Sequence, residues 1–356
     1  MIIAELCNYA ADYGGNFMAS LKSMERSAKK DNPNNEVIYI FPQSAKGKEW
    51  TNALQEQHKV YYLSGGRFQD NIDLVKWCKR EGVDVLHVHF YGITTFFLFG
   101  WLSKTKIVHH YHNTIVNPNS FKQSLLKLLS CRVDQFVGCS KTVRDSLVAA
   151  GYNKEKCSFI TNRIDFSRFD AVQNFHPFDE NQRNLLILGT DFYRKGVDIA
   201  LKAIKPIAAK YDICLHIITH SPDDTKNHVL EVMGSFPQWV HLLSPTEYIG
   251  DYYRASDIFL SPSREEGFCY AIHEALYCGC MALKSDLPAM SYGLDGEEFI
   301  TLKDNLRQRI EQVLSMDIEE LERRITDLRT VVIARFGIEK WGEEVFSLYK
   351  DLIYIK

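Results

Sequence analysis

Long apolar runs are what this chain of 356 residues most clearly lacks. The longest, Phe96-Phe97-Leu98-Phe99-Gly100-Trp101-Leu102, is far short of the roughly 18 to 20 residues that span a bilayer. Residues 1–6 are too short for a secretory signal and no basic segment precedes them, so the expectation is a cytoplasmic protein without a leader. Cysteine occurs nine times, an odd number with no Cys-x-x-Cys pair. That argues against a disulfide framework or a zinc site and for reduced thiols, with Cys278-x-Cys280 read as packing. No Asp-x-Asp pair is present to offer a divalent ion to a phosphate, and no repeat or low-complexity stretch interrupts the chain. The net charge of -3 removes any general case for nucleic acid as a partner.

What remains is an ordinary globular composition, 46% hydrophobic and 24% charged, in a chain long enough for two domains with separate cores. Its charge is unevenly divided. Residues 1–170 hold 22 Lys and Arg against 16 Asp and Glu, whereas the remainder holds 20 against 29. Two readings stand: solvated surface, or a basic first half that meets an anionic membrane surface or acceptor. Residues 118–131 pose the same choice. Phe121, Leu125, Leu128 and Leu129 recur at helical spacing beside Lys122, Lys127 and Arg132, which suits an amphipathic core helix or one lying on a membrane.

Short β-branched runs alternate with helix-period segments. Residues 1–7, 36–41, 59–63, 83–89, 106–114, 133–139 and 157–161 read as strands in the first half, and 184–189, 213–219, 240–243, 257–260 and 281–284 in the second. Between them the spacing predicts helices over 16–29, 71–81, 197–210, 270–277, 305–336 and 338–353, with Ser140 capping another. The alternation predicts an α/β fold of doubly wound parallel sheets, whose ligands collect at the carboxyl ends of the strands. Residues 171–183, polar and aperiodic, read as a linker.

Several candidate residues lie at those strand ends. Gly14 and Gly15 follow the first strand and let the backbone approach a ligand. His109, His110 and His112 end another strand, and of these His112 is by position the most interesting. Arg194 and Lys195 sit at a strand-to-helix turn. Amides near Gly267, Phe268 and Cys269 open the 270–277 helix, where N–H groups and the helix dipole favour an anion. Glu266 and Glu274 bracket that turn. Carboxylates repel a phosphate but suit sugar hydroxyls, and a sugar nucleotide offers both groups.

Glu266-Gly267-Phe268 followed by Glu274-Ala275 and Gly279 resembles the E-x7-E signature of the retaining glycosyltransferases of family 4. The order of His112, Asn162-Arg163-Ile164-Asp165, Gly189 to Gly196 and Glu266 to Gly279 is similar to that family's order. Two positions depart from it: Arg163 stands where the family has Gly, and Thr190 where it commonly has Arg. The Gly-x-Asp-Phe-x-Arg-Lys-Gly segment resembles the branch that contains bacterial lipopolysaccharide-core glucosyltransferases, with Arg194 supplying the missing cation.

The resemblance implies two Rossmann-like doubly wound domains facing a cleft, the GT-B architecture. Residues 1–170 would form the acceptor-side domain, 171–337 the nucleotide-sugar domain, and 338–356 a helix packing back on the first. It implies metal-independent, retaining transfer of a hexosyl group from a nucleotide-diphosphate sugar, a UDP-sugar foremost, to a glycan or lipid-linked acceptor in cell-surface polysaccharide synthesis. The nucleotide sugar is a substrate, so no cofactor is expected. Arg194, Lys195 and the helix start would hold the diphosphate, Glu266 the donor sugar, Glu274 the ribose, and His112 would position the sugar. The Gly14-Gly15 loop would lie near a phosphate, and the protein would be cytoplasmic or peripheral on the inner membrane face. Two rivals are a non-catalytic sugar-nucleotide-binding partner of another glycosyltransferase and a sugar-nucleotide epimerase, the second disfavoured by the E-x7-E pattern.

Overall fold

Two parallel sheets carry the chain, each at the centre of its own unit. The computed structural model describes residues 1–64, 68–91, 102, 104–115, 131–172, 176–291, 294, 301–302 and 305–354. One unit comprises Met1–Asp165 with Ile338–Lys356, the other Phe166–Gly337. Strands of the first are β1 (Ile2–Cys7), β2 (Glu36–Pro42), β3 (Val60–Leu63), β4 (Val85–His89), β5 (Lys106–Tyr111), β6 (Gln135–Gly138) and β7 (Cys157–Phe159). They lie in the order β3-β2-β1-β4-β5-β6-β7.

Strands of the second unit are β8 (Arg183–Leu188), β9 (Ile213–Ile218), β10 (Val240–Leu243), β11 (Ile258–Ser261), β12 (Met281–Ser285) and β13 (Thr301–Leu302), in the order β10-β9-β8-β11-β12-β13. Both orders reverse once, between β1 and β4 and between β8 and β11. This is the doubly wound topology expected from the alternation of strands and helices, and each reversal opens a crevice at the strands' carboxyl ends.

Side-chain alternation assigns the faces of the first sheet. Ala4 and Leu6 join one core cluster with Ile38, Leu86, Val88 and Ile107. Ile3 and Cys7 join the other with Val37, Val85 and Val108. Against that second face the Gly15–Asp31 helix packs beside the Glu339–Tyr354 helix, which contributes the buried Trp341, Val345, Phe346 and Tyr349. The two helices approach so closely that a Cβ on Gly342 would lie 2.4 Å from the Ser23 backbone. Ser23 Oγ also donates to the Ile338 carbonyl at 3.0 Å.

Several element boundaries differ from the sequence expectation for local reasons. The 197–210 helix is two pieces, Val197–Ile204 and Ala208–Tyr211, because Pro206 has no N–H to continue the ladder. The 305–336 segment divides into Leu306–Leu314 and Ile318–Phe336. Asp317 starts the second piece by accepting from the amides of Glu319 and Glu320. Helices Glu49–Gln55 and Pro222–Met233 were not anticipated.

The units divide after Asp165 rather than after residue 170. Phe166 stacks on Tyr277 at 4.5 Å and the Phe169 carbonyl accepts from Arg254, so 166–170 belong to the second core. Arg163, where the resembled family has Gly, donates to Glu344 of the last helix at 3.0 Å. Residues 116–130 and 92–101, which include most of the candidate membrane-surface helix and of the longest apolar run, lie outside the described residues. Among the described residues no helix is long and apolar enough to cross a membrane, and the nine cysteines are free thiols.

Candidate functional site

In the second unit the crevice is made by the loops after β8 and β11, paired strands on either side of the order reversal. The loop after β8 leaves the sheet at Gly189, where a Cβ would lie 2.6 Å from Ile217 Cγ2, and turns into the Val197 helix through Gly196. Gly196 has φ +71, and a Cβ there would lie 2.0 Å from the Pro262 carbonyl oxygen. Glycine is therefore required twice over, for its left-handed backbone and for the approach of the two loops. Arg264 N donates to Arg194 O at 2.8 Å, and the Arg264 guanidinium grips Asp198 with bonds of 2.7 and 2.8 Å.

This contact sets up a paired substitution. Gly196→Ala is expected to destabilise the fold by roughly 3 kcal/mol or more, because strain and overlap with backbone add. Gly234→Ala, also at positive φ (+79) but with nothing within 4 Å, should cost only about 1 kcal/mol. Thermal melts of the two proteins check this; equal losses would contradict it.

The loop approach brings Lys195 onto Glu266. Lys195 Nζ lies 2.6 Å from Glu266 Oε1, which also accepts from Ser263 Oγ at 2.9 Å. The two charged side chains are 19% and 9% exposed, so water and salt screen the pair less than a surface pair. Arg194 is held otherwise: Nε donates to Asp191 Oδ2 at 2.9 Å and Nη1 lies 3.9 Å from Glu266 Oε2. The strand-to-helix turn that carries these cations thus meets the Glu266 turn directly, because β8 and β11 are neighbours.

The Tyr270–Tyr277 helix begins at Cys269 without a side-chain cap. Phe268 and Cys269 are buried in the core, Phe268 stacked on His273 at 4.9 Å and Cys269 Sγ 3.5 Å from Ser261 Oγ. Burial pushes the Cys269 thiol up to about 11. These residues can offer a ligand only backbone. Glu274, about one turn along, accepts from Tyr253 at 3.1 Å. Arg264, Asp198 and Tyr253 escaped the sequence reading, since nothing in their local spacing marks partners brought from elsewhere in the chain; Ser263 escaped it although Glu266 is only three residues away.

In the first unit Gly15 has φ +57, while Gly14 is right-handed and its carbonyl accepts from Tyr9 at 3.2 Å. At the end of β4 Phe90 has φ +60 despite its bulk, and it stacks on His112 at 4.1 Å. Strain of this kind gathers at functional positions. His112 is half-buried, with its Nε2 3.1 Å from His89 Nδ1. Burial, reinforced by neighbouring imidazoles, holds its pKa well below the ordinary value of 6.5. His109 and His110 are both buried.

Among the described residues two overlapping groups bring ligand atoms within 4.8 Å of one another, as a metal would require: His87, His89 and His110, and Glu5, Cys7 and His89. Hydrogen bonds among these side chains engage Glu5, His87, His89 and His110 instead.

The whole chain superposes on solved glycosyltransferases. A glycosyltransferase from Rickettsia africae matches with a TM-score of 0.79 at 17% identity, covering 100% of this chain and 99% of that one. Sucrose-phosphate synthase from Thermosynechococcus elongatus matches at 0.77 and 16%, covering 100% of both. The fold is GT-B. Anabaena HepE in complex with UDP-glucose superposes on this GT-B chain at 0.73 and 15%, over 99% of this chain and 100% of that one.

Sequence models agree with the GT-B superpositions. Residues 37–168 match the model described as Glycosyltransferase Family 4, and 182–316 the one described as Glycosyl transferases group 1. A subunit of the phosphatidylinositol N-acetylglucosaminyltransferase of Arabidopsis thaliana is 24% identical over 209 residues, 55% of this chain and 46% of the relative. An uncharacterized glycosyltransferase of Haemophilus influenzae is 25% identical over 167 residues, 46% and 47% of the two. The chain thus spans about half the length of the curated relatives it matches.

Proposed function

We propose that this chain is a retaining, metal-independent glycosyltransferase that moves a hexosyl group from a UDP-sugar to a glycan or lipid-linked acceptor in cell-surface polysaccharide synthesis. The observation that carries the reading is the contact of Lys195 with Glu266 at the carboxyl edge of β8 and β11, where doubly wound sheets bind their ligands. UDP and UDP-glucose in the Anabaena HepE structures support the choice of donor class. The likeness of Gly189 to Gly196 to lipopolysaccharide-core glucosyltransferases makes UDP-glucose the first donor to try.

The chemistry follows from charge. Cleaving the bond between the anomeric carbon and the diphosphate puts negative charge on the leaving oxygen. Lys195, Arg194 and the backbone at Gly267, Phe268 and Cys269 oppose it and lower the barrier to the extent that they bind the charge more strongly as it develops. Glu266 holds Lys195 while no ligand is bound. When the donor enters, its phosphate takes the ammonium and its hydroxyls satisfy the carboxylate. Glu274 holds the ribose, and the Gly14-Gly15 loop lies near the phosphates. His112 positions the sugar. The leaving phosphate takes the acceptor's proton, so a separate base is not required.

Release of UDP from UDP-glucose, in the presence of a metal chelator, tests the assignment. UDP should also raise the melting temperature, since saturation at a hundred times Kd stabilises by about 2.7 kcal/mol. Inversion at the anomeric carbon would overturn the stereochemical assignment. UDP binding without turnover, restored by adding a second glycosyltransferase, would favour the non-catalytic partner instead.

A further inference from the structure

The histidines of the first unit follow the strand period. His87 and His89 alternate along β4, His110 and His112 along and just past β5, and Glu5 pairs with His87 across β1. Period-2 alternation therefore places one carboxylate and four imidazoles on the same face of the sheet, the face covered by the Glu339–Tyr354 helix. Their neighbours there include the apolar Ile3, Val37, Val85, Val108 and Val137. Glu5, His87, His89 and His110 are each no more than 1% exposed, so each ring nitrogen must find a partner or go without.

The partners form a chain. Tyr349 donates to Glu5 Oε1 at 2.9 Å, and Glu5 Oε2 lies 3.0 Å from His89 Nε2. His89 Nδ1 in turn lies 3.1 Å from His112 Nε2. A side branch runs from Glu5 and Tyr349 through His87 to His110. The His112 ring is stacked between Phe90 at 4.1 Å and His110 at 4.7 Å, with Phe17 edge-on at 5.8 Å. Its plane is thus held, and the position of its proton is the freedom that remains.

We infer that Glu5 and His89 are positioning residues that lock His112 in the Nε2–H tautomer and leave its Nδ1 lone pair free to accept a hydrogen bond from a ligand hydroxyl. An ionised carboxylate only accepts, so His89 Nε2 carries the hydrogen. A neutral His89 then has a bare Nδ1, which takes the hydrogen of His112 Nε2. No hydrogen bond engages His112 Nδ1 among the described residues, and it is absent from the buried atoms that lack a partner. Two further facts agree. Interactions and hydrogen bonds with His87 and His89 overcome burial and lower Glu5 to about 2. Burial, helped by His87, lowers His89 to about 4. The use made of the Nδ1 lone pair rests on the proposed role of His112 with the donor sugar; the tautomer does not.

Nitrogen-15 NMR of the histidine-labelled full chain tests this, with His112 assigned by comparison with His112→Gln. The expected spectrum shows a protonated Nε2 and a bare Nδ1 for His112 at pH 7 without any donor. A protonated Nδ1 or an even mixture would overturn the inference, as would a stoichiometric metal in the purified protein, because coordination takes the same lone pairs. Glu5→Gln removes the charge that demands the hydrogen from His89. The second tautomer should then appear and kcat with UDP-glucose fall about 10- to 100-fold with UDP affinity unchanged; a single unchanged tautomer would overturn the relay. Should the wild type turn over no UDP-sugar, the functional proposal fails while the tautomer measurement still decides this one.

Discussion

Lys195→Ala is expected to lower kcat with UDP-glucose by about 10²- to 10³-fold, the range found when a group that stabilises developing negative charge is removed. The argument rests on position: Nζ is 2.6 Å from Glu266, on a loop whose conformation Gly196 and Pro262 constrain together. Removing the ammonium also leaves a carboxylate that is 9% exposed with Ser263 and only the more distant Arg194, at 3.9 Å, in place of the 2.6 Å contact. A stability loss of roughly 1 to 3 kcal/mol is therefore expected alongside. Melting curves with saturating UDP separate the two effects. Lys195→Arg keeps the charge but not the point geometry of an ammonium, so it should recover stability better than rate. Full turnover by Lys195→Ala would remove Lys195 from the diphosphate site.

Acid should unfold this protein well above the pH at which its carboxylates titrate. Burial lowers His89 to about 4 and His109 to about 3, and holds His110 and His112 well below 6.5; in the second unit it lowers His216 and His273 to about 4. Each folded-state value is depressed, so no stability is lost above pH 6.5. Below it the unfolded chain takes up protons that the folded chain refuses, and stability falls until the folded values are reached. By pH 5 each such histidine costs about 2 kcal/mol. Several together approach the roughly 5 to 15 kcal/mol that hold a typical domain. Glu5, lowered from 4.5 to about 2, adds a further loss as pH falls through that window. Melting temperatures at pH 7, 6, 5 and 4 should fall steeply below 6.5, and a flat profile from pH 7 to 5 would refute the assignment.

Much of the architecture was legible because it is written in short-range signals. Strand alternation, glycine turns and the Ser140 cap, which accepts from the Val143 amide, are local properties. The Tyr270–Tyr277 helix falls where its spacing predicted. Structure and expectation differ where a proline interrupts a helical spacing, as at Pro206, and where the segment is too short and polar to show a period, as in the Glu49–Gln55 helix. The alternating histidines of β4 and β5 are also written in the sequence, but their spacing does not say which strands pair. Only the register His89 with His110 and Cys7 with His89 shows that they share a face with Glu5.

By itself the sequence determined the fold class and the candidates at strand ends, because hydrophobic period and turn chemistry act over a few residues. Only the tertiary structure decided how those candidates meet. Lys195 and Glu266 are 71 residues apart in the chain and touch because β8 and β11 are adjacent in the sheet. Arg163, at a position where the resembled family has glycine, meets Glu344 of the last helix at 3.0 Å. Strand order and helix docking are set by the burial of whole faces, and no local spacing encodes which distant side chains that burial brings into contact.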